Sequence, residues 1–403
     1  MQKKSLIVLF ITLLIDMIGI GMVFPIIPII FTDPSSPSFL LQGYTQSQQY
    51  FLAGIVTALF GLMQFLAAPI LGELSDVYGR KKLLTIGVGV LALSQLLFGL
   101  GVSIASLTLL FVSRAVAGLA GANFSIAQAS IADVTEPKDR AKNFGLIGAA
   151  FGMGFILGPI LGGWISGLSG NAAAPFWVAA ILGLINVVSI SLFLPETNQN
   201  KRASHNFHFL KGIQNIISAW KDKDARPVYF SGFLYMSGFA FFTSFIGILL
   251  VNRFGLSEKA IGSFFGASGF WIIITQLFIL RILSKKYSER TILRISLLVL
   301  AGAISLYPLM PSVLVLYAII PLLAIPNGLS MANMMALVSK SVSAEKQGAA
   351  LGINGSLMAL SQGLIPFLAG SFSGFLGVQA PFFAGSVLVI CGWLILFVFS
   401  GKK

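Results

Sequence analysis

Apolar runs long enough to cross a bilayer recur along the whole chain and leave room for little else. A helix needs roughly 20 mostly apolar residues to span the hydrocarbon core. Twelve stretches meet that need, at about 5–31, 50–72, 83–101, 107–132, 142–166, 174–195, 227–252, 259–283, 291–308, 313–338, 347–374 and 380–400. Charged residues make up only 10% of the 403, against about 25% in a soluble domain. So little polar surface excludes a globular fold in water, a disordered chain and a disulfide scaffold. Helices satisfy their own backbone groups in lipid, so the fold predicted is an all-α integral membrane protein with twelve transmembrane helices. The first run follows Lys3 and Lys4, as a signal peptide would. Its length, the Asp16 within it and the lack of a small-residue exit predict a retained helix instead.

The remaining charges have a direction. The chain carries 26 Lys+Arg against 13 Asp+Glu, a formal net charge of +13. Nucleic-acid binding is one reading of such an excess. With twelve spans, however, both ends of the chain share one side of the membrane, and 23 of the 26 basic residues fall in the loops of that side. Arg253 and Lys259 fall on the other, and Arg114 inside a span. Basic loops stay in the cytoplasm, so both termini are expected there, in a multi-pass cytoplasmic (inner) membrane protein. The excess charge is then topology, with no nucleic-acid partner.

The longest polar stretch, 196–226, divides the spans six and six. The expected organisation is a six-helix bundle over 1–195, a cytoplasmic linker over 196–226 and a second bundle over 227–403. Within the linker, Phe209, Leu210, Ile213, Ile216, Ile217 and Trp220 have helical apolar spacing beside Lys211, Lys221 and Lys223. That pattern fits an amphipathic helix on the inner membrane surface or on the protein's own underside. The halves also resemble each other. LSDVYGRKKLL at 74–84 aligns with LSKKYSERTIL at 283–293, and Gly145, Gly148, Pro159, Gly163 and Gly167 align with Gly352, Gly355, Pro366, Gly370 and Gly374. The offsets, 209 and 207, are nearly constant. Two six-helix repeats that handle a substrate near mid-membrane are a transporter pattern.

Charge inside a bilayer is costly, so the two ions well within spans carry weight. Asp16 lies about eleven residues into the first run, roughly 16 Å deep at 1.5 Å per residue. Burial favours the protonated form of a carboxyl group, which makes Asp16 the candidate proton-coupling residue. Arg114 lies about eighteen residues from the cytoplasmic end of the fourth run, roughly 27 Å. It is a candidate partner for Asp16 or for a substrate. Arg114, Gly118, Gly121, Ser125 and Gln128 share one helical face, which is expected on a central cavity. Gln64, Asn327 and Asn354, with Tyr235 and Phe239 on an aromatic face that continues to Phe242 and Ile246, complete the expected cavity lining. Gln95, Asn123, Asn186 and Gln276 read as helix–helix contacts.

Four stretches together resemble the major facilitator superfamily and its twelve-helix drug:proton antiporter branch, closest in wording to tetracycline-type exporters. GELSDVYGRKKLL, 72–84, is similar to the loop signature between helices 2 and 3. LLIDMIGIGMVFPIIP, 13–28, RAVAGLAGANFSIAQASIAD, 114–133, and GMGFILGPILGG, 152–163, are similar to that branch's first-, fourth- and fifth-helix motifs. The resemblance implies two pseudo-symmetric six-helix bundles working by alternating access. It implies that Asp76 and Arg80, with Asp133, form a charge network that latches the outward-open state. Gly72 and Gly79 would allow the tight turn, and Lys81 would help hold it in the cytoplasm. Lys285 and Glu289 stand where the second half would repeat Asp76 and Arg80. Gly154, Gly158, Pro159, Gly162 and Gly163 resemble the antiporter motif, whose four-residue spacing lets helices touch backbone to backbone.

The sequence departs from tetracycline-type exporters in lacking deep acids in its second half and a His in any span, since His205 and His208 both lie in the linker. Coupling through one carboxylate is the simpler expectation. The single cysteine, Cys391, and the absence of metal-ligand spacing imply no metal. No phosphate-binding loop is present, so no cofactor is expected, with the proton gradient as energy source. The function expected is proton-coupled export of a small amphiphilic drug or metabolite by a monomer. The alternatives are a proton-coupled importer or facilitator of a metabolite or siderophore and, more remotely, a membrane receptor or membrane enzyme.

Overall fold

In a computed structural model the chain is described over residues 2–121, 123–136, 140–198, 211–222, 225–343 and 347–399. The described residues hold twelve helical stretches long and apolar enough to cross a membrane. In chain order the helices are α1 Gln2–Gly21, α2 Val23–Thr32, α3 Gln46–Tyr78, α4 Arg80–Ser103, α5 Leu107–Ala120 and α6 Asn123–Asp133. They continue with α7 Arg140–Ser169, α8 Ala174–Phe193, α9 Lys211–Lys221, α10 Arg226–Phe254, α11 Glu258–Ile274 and α12 Leu280–Leu283. The last are α13 Glu289–Leu306, α14 Val313–Ala318, α15 Ile320–Lys340, α16 Gln347–Leu376 and α17 Ala380–Phe399.

Four spans are interrupted within their length, and span 9 ends in a 3-10 turn, Tyr307–Leu309. Span 1 joins α1 to α2, span 4 joins α5 to α6, and span 10 joins α14 to α15 through Ile319, with a proline opening the second piece. Span 8 carries a π-helical turn, Thr275–Ile279, between α11 and α12. Such irregularities free backbone carbonyls that another group must satisfy. Gln64 Nε2 donates to Gly121 O, at the end of α5, over 3.1 Å. Gln276 Nε2, in the π turn, donates to Gly328 O of α15, also over 3.1 Å. The same tie between the second and fourth helix thus recurs in both halves, which is structural support for the repeat.

The helices form two compact units. One comprises Met1–Gln42, Leu59–Lys211 and Ser257–Ser263, and the other Gly43–Ala58, Gly212–Leu256 and Phe264–Lys403. The first therefore includes the opening turn of α11, and the second the opening of α3. The first unit's main apolar core gathers Leu9, Leu13, Leu84, Val88, Ile126, Ile131 and Ile190 from α1, α4, α6 and α8. Many large side chains remain outside the cores, among them Leu192 at 70%, Leu314 at 80% and Phe375 at 87% exposed. Such a surface is compatible with lipid and not with water.

The linker forms α9, where the apolar spacing predicts a helix. Phe209, Leu210, His205 and His208 lie outside the described residues.

Candidate functional site

Asp16 is 3% exposed, and its Oδ2 accepts from Asn123 Nδ2 at 2.8 Å. Asn123 is the first residue of α6, so the partner of Asp16 stands at the break between α5 and α6. A Cβ on Gly87 of α4 would collide with Asn123 Oδ1. Glycine at 87 is what lets the amide lie against α4 and reach Asp16. One turn along α1, a Cβ on Gly19 would meet Gln95 Nε2 at 3.1 Å. One turn further along α4, Arg114 stands over the Phe98 ring, 4.9 Å from Cζ to its centroid. From the Arg80 end of α4 towards its Ser103 end the order is therefore Asp16 with Asn123, then Gln95, then Arg114.

Asp16 and Arg114 form no ion pair, so Arg114 is not the partner of Asp16 that its place inside a span allowed. Arg114 is 3% exposed, and its Nε and Nη2 have no hydrogen-bond partner among the described residues. Both polar atoms of Gln95 are likewise buried and unpartnered there. The face of span 4 expected on a cavity is partly occupied by α3. A Cβ on Gly118 would collide with Phe60 O, and one on Gly121 would stand 2.8 Å from Gln64 Cγ. Gln128 on the same face is half-buried.

The loop signature closes on Arg80, which is buried although charged. Its guanidinium pairs with Asp76, donates to Ser75 Oγ, and reaches Asp133 Oδ2 at 3.2 Å. Its backbone N–H donates to Glu196 Oε1 at 2.9 Å. Asn198 Nδ2 donates to Asp76 O at 3.0 Å, and Thr197 Oγ1 to Asp133 Oδ2 at 3.4 Å. Residues 196–198, read as the start of the linker, are thus part of the network. Gly79 has φ +102°, a conformation that side chains disfavour. Gly72 does not serve the turn as expected: it lies within α3, and its carbonyl accepts from Arg80 Nη1 at 3.5 Å. Lys81 Nζ donates to Ser191 O at 2.8 Å, near the end of α8, where cations are favoured.

The glycines of α7 face α1. A Cβ on Gly158 would stand 2.7 Å from Gly21 Cα and from Ile18 O, and one on Gly162 would stand 2.6 Å from Met22 O. A Cβ on Gly154 would collide with Met17. The motif therefore packs on the turns directly after Asp16. Gly163 faces elsewhere, against Glu258 O and Gly262 Cα of α11, and a Cβ on Gly262 would collide with Pro159 O.

In the second unit Tyr235 is 3% exposed and donates to Asn327 Oδ1 at 2.7 Å. Phe242 and Ile246 are buried beside it, whereas Phe239 is half-buried and stacks on Phe242 with centroids 6.0 Å apart. Asn354 is 7% exposed and meets Met335 Sδ at 3.6 Å.

The sequence agrees with this architecture. The family model of the Major Facilitator Superfamily matches residues 9–230 and 228–403. The chain belongs to the major facilitator superfamily. It is similar to the class H tetracycline resistance protein of Pasteurella multocida, 31% identical over 377 residues that cover 90% of this chain and 86% of that one. It is also similar to multidrug resistance protein 2 of Bacillus subtilis (strain 168), 27% identical over 418 residues, with 100% and 96% covered. The crystal structure of the human organic anion transporter MFSD10 (TETRAN) shares the fold, with a TM-score of 0.73 at 24% identity and 98% and 99% covered. As a superfamily member the chain is a multi-pass secondary transporter and not an enzyme, with its similarity in the tetracycline- and multidrug-resistance branch.

The superfamily repeat explains one further pair. Glu289 stands at the counterpart of Arg80, and Lys340, by the offset of 207, at that of Asp133. The two side chains form an ion pair. The second half thus keeps the bridge with its signs reversed. Its exposure differs: the Lys340 side chain is 63% exposed, whereas that of Arg80 is 10%. Exposed pairs contribute about 0–1 kcal/mol, whereas breaking a buried one costs about 3–5. Arg80→Ala is therefore expected to cut initial transport rates at least about tenfold, and Lys340→Ala by no more than about fivefold. Equal losses in a vesicle assay normalised to protein content would contradict this ranking.

Asn123, Gln95 and Glu196 are not among the site residues expected from the sequence. Asn123 lies inside the fourth-helix motif, and by the resemblance Gln95 stands roughly where tetracycline-type exporters carry a further buried acid in helix 3, but neither signal names a partner. Glu196 had no signal of its own, because its role comes from folding back onto Arg80.

Proposed function

We propose that this protein is a proton-coupled exporter of small amphiphilic molecules, of the tetracycline or multidrug kind suggested by the names of its relatives. The reading includes a cytoplasmic-membrane location, both termini in the cytoplasm and a monomeric working unit. The observation that carries it is the partner of Asp16. A buried carboxylate held by a cation stays ionised, and its proton cannot be used. Asp16 is held by a neutral amide, so it can take up and release a proton without breaking an ion pair. The absence of deep acids from the second half favours one-carboxylate coupling and a broad amphiphilic substrate over a metal–tetracycline chelate.

On this reading Arg114 and Gln95 form the polar path outward from Asp16. Asp76, Arg80 and Asp133 brace the cytoplasmic ends of α3, α4 and α6 and release them during the conformational cycle. Tyr235, Phe239, Gln64, Gln128, Asn327 and Asn354 take part in substrate handling.

Everted vesicles from cells producing the protein test the reading. An inside-acid pH gradient should drive uptake of tetracycline or ethidium, and nigericin should stop it. Uptake that persists with the gradient collapsed, or movement only in the opposite direction, would overturn it. A local test follows from Gly87: Gly87→Ala should push Asn123 away from Asp16 and lower gradient-driven uptake about tenfold, in line with the loss of one buried hydrogen bond to an ionisable group. Unchanged uptake in Gly87→Ala would remove Asn123 from the scheme.

A further inference from the structure

The helix α9 divides its circumference into three sectors. Gly212 and Ala219 are buried, and Asn215 Nδ2 donates to Ser356 Oγ of α16 at 2.9 Å, so one sector faces the second unit. About 120° away, at 100° per residue, Gln214, Ser218 and Lys221 form an exposed polar sector. The third sector is apolar and exposed: Ile213 at 43%, Ile217 at 46% and Trp220 at 60%. A helix packed only on the protein's underside would need two sectors, one inward and one wet. A third, apolar sector on a polar stretch is unfavourable in water.

The surroundings of Trp220 indicate what covers it. Its ring lies 5.1 Å from that of Phe230, in the first turns of the membrane-crossing α10, with the planes at 87°. The Arg226 guanidinium lies 5.5 Å over the same ring. The exposed apolar sector is thus continuous with the end of a membrane span, at the level where Trp residues settle in bilayers. The charge there is complementary to acidic headgroups. Segment 196–226 carries six basic and three acidic residues. Among the described residues the acid nearest in sequence, Asp222, is engaged with the Ala225 backbone N–H at 3.0 Å. A guanidinium over an indole face still has N–H groups to donate, suited to phosphate oxygens.

We propose that α9 is a lipid-docking element: Ile213, Ile217 and Trp220 enter the interfacial zone of the adjacent leaflet, and Lys221 and Arg226 bind anionic phospholipid headgroups. Through Asn215 and Ser356 the docked helix is tied to α16, so leaflet charge bears directly on a transport helix. This inference is independent of the proposed substrate and of proton coupling.

The test uses the full chain in nanodiscs. Trp220 is one of five tryptophans, and the difference between wild type and Trp220→Phe isolates its emission. With lipids brominated high on the acyl chain, that emission should be quenched, and aqueous iodide should leave it unaffected. Adding phosphatidylglycerol to phosphatidylcholine should shift it to the blue. The midpoint of that shift should move to about fivefold more phosphatidylglycerol for each basic side chain lost, in Lys221→Gln and in Arg226→Gln. Quenching by iodide and not by bromolipid would overturn the proposal. So would shielding from both quenchers, which would mean that a second copy or another part of the chain covers the face. A blue shift unmoved in both variants would overturn the headgroup assignment.

Discussion

Asp16→Asn should reduce gradient-driven accumulation of substrate to the level of vesicles lacking the protein. The amide keeps the size of the side chain and can still bond to Asn123, so α1 and α6 remain packed. What it cannot do is bind and release a proton. Downhill exchange of substrate, driven only by its own concentration difference, should therefore persist in the same variant. This separation tests coupling rather than folding. Accumulation at the wild-type level in Asp16→Asn would remove the carboxylate from the mechanism, and loss of downhill exchange as well would point to a structural role. Asn123→Leu is the complementary case. It leaves a buried carboxyl group without its partner, at a cost of about 1–3 kcal/mol, and should impair accumulation while Asp16 is still present.

The second large effect is expected at Gly158. A side chain there must fit where Gly21 Cα and Ile18 O lie 2.7 Å from the position of its Cβ. Backbone cannot give way as a flexible side chain can, so Gly158→Val must separate α7 from α1 along the turns after Asp16. Overpacking of this kind costs about 1–3 kcal/mol or more, and transport should be lost from protein that still inserts in the membrane. Gly148→Ala and Gly152→Ala supply the contrast on the same helix. A Cβ at either position meets nothing within 4 Å, and both variants should transport at near wild-type rates. Equal loss at all three glycines would show that flexibility of α7, and not its contact with α1, is what the motif provides.

These two expectations concern one place. The glycine face of α7 packs on Met17, Ile18, Gly21 and Met22, and Asp16 occupies the preceding position of α1. On the proposed reading, protonation at Asp16 and the close packing of span 5 act on adjacent turns of a single helix. That adjacency offers a short physical route by which a proton at Asp16 can influence how the bundle moves. The Arg80 network ties the facing ends of the neighbouring helices through Asp76, Asp133 and Glu196.

The spans, the repeat and the motifs were legible along the chain because lipid imposes its demand locally. Every segment that crosses must be apolar over its whole length, and every charge within it stands out. Arg80 with Asp76 and Asp133 could be expected once the signature was recognised. The contacts of Gly163 and Gly72 could not. Gly163 lies beside Gly162 in sequence yet faces α11 rather than α1, because successive residues on a helix point about 100° apart. Gly72 belongs to α3 because that helix continues to Tyr78, past the end of the apolar run.

The sequence by itself determined that the chain lives in lipid, crosses it twelve times in two related halves, and carries two ions inside. Only the tertiary structure decided that Asp16 is held by Asn123 and not by Arg114, that Gln95 lies between them, and that Glu196 folds onto Arg80. The physical reason is geometric. Hydropathy is a property of each residue and can be read in one dimension. Partnership between spans depends on depth and rotation together. A register error of two residues shifts a side chain by about 3 Å in depth and some 200° in direction, enough to exchange one partner for another.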